Sequence, residues 1–576
     1  MKWLLDDRAY GAALAVLVVL SVASQFTSRA LPDTAWMLYA AGRMLDGARL
    51  YVDLVEVNPP LIVWLNLIPV GLARATGASP ILVYRLLVLL LVLGSAWVCV
   101  RLMRAGWREA PAEHRRAMAL LCLFVILLLS REDYGEREHL LLALTLPYLL
   151  LAWLRAGSVR VSASGAAALG LAAGVGIALK PYFALLWIGV EAYLLVAARV
   201  RPLIRPESAA IAAVGFVYLA SVPIVSPEYF QIVRTMAGPY YEFLSNSLWF
   251  TAFLGDGAAI AIVAALGWIA LHRSARTRPL WDVLLVATLA LYLSAVLQHK
   301  GWRYHFYPSI ATGLLLLGLI TIDARRPVQA GIARIYLSMA AAVTGGLIAW
   351  TALACLLQAR DPLNPRYDAD PDMAQLAPIV RAHAGNGRAM MLSYSMASTF
   401  PLMTYAGVES ASRFNALWIL GAVYRDRTRA AEPLSYRTGP EMGPLERYLN
   451  EAVVDDLERN RPDVVVALRA APDLPQWGLR RLDHLRYFSR DSSFARLFAE
   501  YGFVTEVGQY LVFRRLRPGQ VGRPAPQPPP RIVRDPNTLL PKETAPVEGE
   551  TMFAALAFSA FFILTLVSER RRVEAA

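Results

Sequence analysis

Cysteine is scarce in this chain of 576 residues: there are three. Cys99, Cys122 and Cys355 lie far apart, each inside an apolar stretch, so no disulfide framework is expected. Charge is scarce too. Only 18% of residues are Asp, Glu, Lys or Arg, against 57% hydrophobic, which argues against a soluble protein whose cores alternate with polar faces. No convincing small-residue cleavage site follows the first apolar stretch, Ala12–Phe26, so that stretch is expected to remain as a span rather than be removed as a signal. No convincing repeat relates the two halves of the chain.

What the sequence does contain is apolar runs almost free of charge, such as Ile81–Val100, Ala212–Val225 and Leu280–Leu297. A helix needs about 20 such residues to cross a bilayer. The net charge of +13 is confined largely to the connections Arg101–Arg116, Arg199–Arg205, Arg273–Arg278 and Arg325–Arg334, and to Arg570–Arg572. These are alternate loops, as the positive-inside rule requires, so the basicity encodes topology rather than nucleic-acid binding. The expected fold is mainly α, a polytopic transmembrane bundle of about 12 spans. The spans are expected at 10–27, 80–103, 117–130, 138–156, 163–179, 181–199, 208–226, 251–272, 280–298, 304–322, 334–358 and 551–568.

A cytoplasmic N-terminus puts every arginine-rich loop inside. Residues 27–79 then form an external loop holding two short apolar helices, Ala35–Leu45 and Pro60–Ala73, expected to lie at the membrane surface. Residues 1–359 are expected to be a transmembrane domain and 360–516 a small external α/β domain. Within the latter, Val453–Asn460 and Phe494–Tyr501 read as helices, Asp463–Leu468 and Tyr510–Arg515 as strands. The proline-rich residues 517–550 read as an extended tether, and 551–576 as a last span with a basic tail.

Four polar clusters mark the external ends of the spans: Pro32-Asp33-Thr34, Arg131 through His139, Lys180-Pro181-Tyr182, and Gln298 through His305. Charges at membrane depth are costly unless paired or wetted, so each is a candidate functional position. Each also has a plain alternative. Asp33 suits a helix N-cap, the acids 132–138 suit a solvated loop, Lys180 can snorkel, and the cations and aromatics of Lys300–His305 suit an interfacial anchor. Convergence of four segments on one face favours chemistry. A carboxylate accepting a proton from a hydroxyl, beside cations that stabilise a departing phosphate, suits glycosyl transfer from a polyprenyl-phosphate sugar.

The stretch Asp33-Thr34-Ala35-Trp36-Met37-Leu38-Tyr39, then Asp46-Gly47, Leu50-Tyr51-Val52-Asp53, Asn58-Pro59-Pro60-Leu61 and Trp64 resembles the first external loop of GT-C superfamily glycosyltransferases, in the branch of the bacterial aminoarabinose and protein O-mannosyl transferases. Gly135-Glu136-Arg137-Glu138-His139-Leu140, Ala178-Leu179-Lys180-Pro181 and Lys300-Gly301-Trp302-Arg303-Tyr304-His305 resemble motifs of related members. The resemblance covers roughly residues 10–360. It implies a lipid-phosphate-linked donor, an active site on the periplasmic face of the inner membrane, and a catalytic aspartate matching Asp33. The expected roles follow. Asp33 is the general base of an inverting transfer, and Glu132, Asp133, Glu136, Glu138 and His139 position the acceptor or a cation. Lys180, Lys300, Arg303, Tyr304 and His305 hold the donor phosphate, and Tyr240, Tyr241 and Glu242 line the same cavity. Many relatives carry an adjacent acidic pair where Thr34 follows Asp33, so a metal-independent mechanism is taken ahead of one using a divalent ion. The acceptor is left open among a glycan, a lipid and a protein. The other classes carried forward are a lipid or glycan transporter or flippase, and a membrane anchor presenting the 360–516 domain.

Overall fold

Apolar residues without periodic polar breaks drive helices that bury on one side and face lipid on the other. In the computed structural model, residues 6–201, 204–272, 275–323, 332–360, 372–424, 436–469 and 482–526 are described. Among them, seven helices are long and apolar enough to cross a membrane: Asp7–Thr27, Pro80–Gly106, Arg137–Ala156, Pro206–Val225, Arg278–Val296, Arg303–Asp323 and Tyr336–Arg360. Arg137–Ala156 and Arg303–Asp323 are buried along most of their length and form the centre of the bundle. Outer helices expose Leu90, Trp97, Phe216, Leu219 and Trp350, the side chains a lipid-facing surface requires. The chain is a multi-pass helical membrane protein.

The expected spans at 117–130, 163–179, 181–199 and 251–272 are occupied by shorter helices, Ala112–Leu127, Ala163–Ala178, Pro181–Ala197 and Gly257–Leu271. The expected span 551–568 lies outside the described residues. Gly170 and Gly174 let Ala163–Ala178 run against Pro206–Val225 at backbone contact; a Cβ on Gly170 would collide with the Glu207 backbone.

The first loop folds as Pro32–Leu45 and Leu61–Thr76. Proline opens the first of these, where a missing N–H costs nothing. Gly77, in the left-handed region, closes the second.

Beyond Arg360 the chain builds one five-stranded sheet: β1 (Arg388–Leu392), β2 (Glu409–Ser410), β3 (Val464–Leu468), β4 (Tyr501–Val507) and β5 (Tyr510–Arg515), in the order β2-β1-β3-β5-β4. β2, β1 and β3 are parallel; β3, β5 and β4 are antiparallel. Two helix boundaries depart from expectation: the helix read from Val453 begins at Pro444 and ends, as expected, at Asn460. The helix read as Phe494–Tyr501 is Ser492–Phe498, with Asp491 accepting from the Ser493 and Phe494 amides, and Tyr501 opens β4. The first residues of the expected tether pack on β4, where the Phe503 amide donates to the Arg523 carbonyl at 3.1 Å.

This sheet domain docks on the first loop. The Val55 amide donates to the Arg413 carbonyl (2.8 Å) and Ser410 to the Tyr39 hydroxyl (2.9 Å). The Tyr405 hydroxyl accepts from the Ala30 amide (2.8 Å), Arg43 pairs with Glu409, and Phe400 packs 4.5 Å from the Trp36 ring.

Candidate active site

One cavity, about 420 Å³ counted with its solvent-open mouth, gathers residues from six segments. Asp33 comes from the first turn of Pro32–Leu45, and Asn58 and Pro59 from the loop that follows it. Arg137 is the first residue of Arg137–Ala156. Lys180, Pro181 and Tyr182 form the corner between two apolar helices, and Tyr240 and Tyr241 sit on Gly238–Phe243. The connection 298–305 supplies Gln298, Lys300, Trp302, Tyr304 and His305. Every charged member lies at or near a helix end, where unpaired backbone dipoles and loop water lower the cost of charge.

The Asp33 carboxylate faces the buried Arg137 guanidinium at 3.4 Å. Arg137 also donates to the Asn58 side-chain oxygen at 2.6 Å. Asn58 is itself held by buried Glu56, which accepts from the Asn58 amide and side chain (both 2.6 Å), from the Val57 amide (2.8 Å) and from the Trp36 indole. A chain of fixed partners, Glu56 to Asn58 to Arg137, therefore orients Asp33. Thr34 donates to Glu136 at 3.0 Å, so a second acid does stand beside Asp33, brought from another segment rather than from the next residue.

The two lysines differ. Lys180 donates to Glu138 (2.5 Å) and to the Gln298 side-chain oxygen (3.2 Å), and His305 approaches the same Glu138 oxygen at 3.7 Å. Lys300 has no carboxylate within ion-pair distance among the described residues. Its ammonium sits among three rings, 4.5 Å from Tyr240, 4.7 Å from Tyr241 and 4.6 Å from Trp302, a cation–π arrangement. Burial, reinforced by nearby Lys180, pushes Lys300 down to about 7. Burial pushes Lys180 down to about 8, with Glu138 resisting. Burial and the charge of Asp33 raise Glu136 to about 8.

The remaining expected residues lie elsewhere. Arg303 turns from the cavity to Glu132 (2.9 Å) and Asp133 (2.7 Å), and Arg131 completes that group by pairing with Glu132 at 3.2 Å. Burial raises Asp133 to about 7 despite Arg303. His139 is fully buried, with one ring nitrogen accepting from the Gly135 amide (2.9 Å) and the other at 2.7 Å from the Ile126 carbonyl, which fits a packing role. Glu242 is not among the lining residues, unlike its neighbours Tyr240 and Tyr241. No three His, Cys, Asp or Glu side chains gather as metal ligands among the described residues. Cavity residues absent from the expected set are Arg137, Asn58, Pro59, Pro181, Tyr182, Gln298 and Trp302. Most of these stood in the quoted motifs; what marks them is adjacency to the charged positions.

A multi-pass bundle with a sheet domain docked over its first loop, and a cation-rich cavity at one end, is the class these elements define. No family model and no curated protein sequence matches the chain. Solved structures do match. ArnT from Cupriavidus metallidurans bound to undecaprenyl phosphate superposes with a TM-score of 0.54 at 14% identity, covering 87% of this chain and 97% of that one; its apo state gives the same values. The Archaeoglobus fulgidus oligosaccharyltransferase tethered with an acceptor peptide gives 0.48 at 11% identity, over 88% and 74%. The chain shares its fold with ArnT.

Proposed function

We propose that the chain is a membrane glycosyltransferase that moves a sugar from a polyprenyl-phosphate-linked donor to a hydroxyl acceptor on the extracytoplasmic face. The observation that carries this reading is a cavity in which an oriented carboxylate, Asp33, shares the wall with three cations, Arg137, Lys180 and Lys300. Asp33 takes the proton of the acceptor hydroxyl as its oxygen attacks the anomeric carbon. The bond from that carbon to the phosphate oxygen breaks, with inversion. The charge on the departing lipid phosphate is met chiefly by Lys300, which has no competing carboxylate, and by the hydroxyl of Tyr304 and the ring of His305. Arg303 is spent on Glu132 and Asp133 and acts from behind the wall. Each carboxylate near the cavity meets a cation or a hydrogen-bond donor through at least one oxygen, and no step is routed through a metal. Likeness of fold to ArnT, solved with undecaprenyl phosphate, supports a lipid phosphate ligand here.

The test is Asp33→Asn in full-length protein reconstituted in lipid. Transfer is expected to fall about 10²–10⁴-fold, with undecaprenyl phosphate binding retained. Near-normal turnover would remove Asp33 as the base.

A further inference from the structure

The polar atoms lining the cavity are unevenly distributed by charge. Among the described residues its wall carries three cations, Arg137, Lys180 and Lys300, and one carboxylate, Asp33, already engaged by Arg137. The other acids nearby are off the wall. Glu138 is fully buried behind Lys180 and bound to it. Glu56 is buried, with four donors on its two oxygens, and Glu136 takes the Thr34 hydroxyl. What the wall offers besides charge is neutral: the amides of Asn58 and Gln298, and the rings and hydroxyls of Tyr182, Tyr241 and Tyr304.

We infer that the donor sugar carries no ammonium group: it is an uncharged sugar bearing hydroxyl or amide substituents. This rests on the transferase reading above and narrows its substrate. A sugar placed between Asp33 and the phosphate cation Lys300 has amide groups and phenols to exchange hydrogen bonds with, and ring faces to pack on. An amino group protonated at neutral pH would instead face a wall on which cationic side chains, Arg137, Lys180 and Lys300, outnumber carboxylates. Its one available carboxylate would be the base, and engaging it would remove the group that accepts the proton. A desolvated charge without a partner is disfavoured far more than a hydroxyl in the same place.

The test uses the full-length protein in lipid nanodiscs and three probes: undecaprenyl phosphate, undecaprenyl phosphate carrying a neutral hexose, and undecaprenyl phosphate carrying a 4-amino-4-deoxypentose. Binding is read by intrinsic fluorescence. The neutral donor is expected to bind at least roughly tenfold tighter than the amino donor, with bare undecaprenyl phosphate also binding. A second variant guards against differences in sugar shape. Gln298→Glu sets a carboxylate on the wall and is expected to move the ratio toward the amino donor by roughly tenfold. Equal or tighter binding of the amino donor by the unaltered protein, or no movement in Gln298→Glu, overturns the inference while leaving the transferase reading standing. Failure of bare undecaprenyl phosphate and of both donors to bind removes that reading, and the inference with it.

Discussion

The helix Arg137–Ala156 carries a buried charged network at each end, roughly 30 Å apart, and the two are built differently. At its C-terminal end Arg155 grips Glu207 through two bonds, 2.9 and 3.0 Å, and Arg205 joins Glu207 (3.3 Å) to Glu191. Ser208 and Tyr148 complete Glu191 at 2.7 and 3.1 Å. Two arginines face two glutamates, and all four carboxylate oxygens are used. At the N-terminal end the account does not close. Lys300 lacks a carboxylate, and Glu138 Oε2 and His305 Nδ1 are buried without a hydrogen-bond partner among the described residues. A closed network fastens helices together. An open one is held ready for something that arrives from outside, and the cavity is where it would arrive.

Substitutions at the two ends should therefore separate function from stability. The largest expected effect is that of Asp33→Asn on transfer, about 10²–10⁴-fold, with the thermal midpoint in detergent little changed. A comparable loss of stability in that variant would break the contrast. Glu207→Gln strands Arg155, while Arg205 keeps Glu191, and is expected to cost about 3–5 kcal/mol of stability, seen as a lowered thermal midpoint, while the protein that remains folded keeps its affinity for undecaprenyl phosphate. Lys300→Met is the reverse case. It removes an ammonium without a carboxylate, so the midpoint should hold or rise, while affinity for the phosphosugar donor drops by the equivalent of about 1.5–3 kcal/mol. Destabilisation by Lys300→Met matching that of Glu207→Gln would erase the distinction.

A pH titration sharpens the same point. With Lys300 pushed down to about 7, the charge that meets a phosphodiester is present below that pH and lost above it. Donor affinity is expected to weaken by on the order of tenfold between about pH 6 and 8.5. Lys300→Arg, which keeps its charge throughout, should flatten the profile; an unaltered slope would point to another group. The smallest effect concerns Trp418, whose ring lies 4.8 Å from Tyr240 and so braces one of the three rings around Lys300. Trp418→Ala is expected to shift donor affinity by about 0.5–1.5 kcal/mol, with Trp418→Phe restoring most of it.

Much of the arrangement was legible in the amino-acid order. The bundle follows from hydropathy, and the first-loop helices from apolar runs punctuated by Asp46-Gly47 and Asn58-Pro59-Pro60. The meeting of Asp33, Lys180 and Lys300 follows from their common side of the spans. Three strands were missed for physical reasons. β1 is Arg-Ala-Met-Met-Leu, a short run with no period to tell strand from helix. β2 is two residues long, and β4 follows a short helix so closely that the aromatic run from Phe494 to Tyr501 reads as continuous. Glu56 went unremarked because one acid between Val55 and Val57 looks like the outward side chain of a half-buried strand; its burial depends on Trp36 and on the turn at Asn58. Arg303 shows the converse: proximity in sequence to Lys300 suggested a shared ligand, but the first turn of its helix carries it to Glu132 and Asp133.

The bond from Ala30 to Tyr405 spans 375 residues of chain, and those from Tyr39 to Ser410 and from Val55 to Arg413 are nearly as long. At about 5–20 residues per second of synthesis, roughly 20–75 s separate the appearance of the two partners. During that interval the first loop has left the ribosome but lacks the surface it rests on. Support of the first loop is thereby delayed until the sheet domain has been made, and a chain stalled before that point would insert its helices while the loop carrying Asp33 lacks that surface.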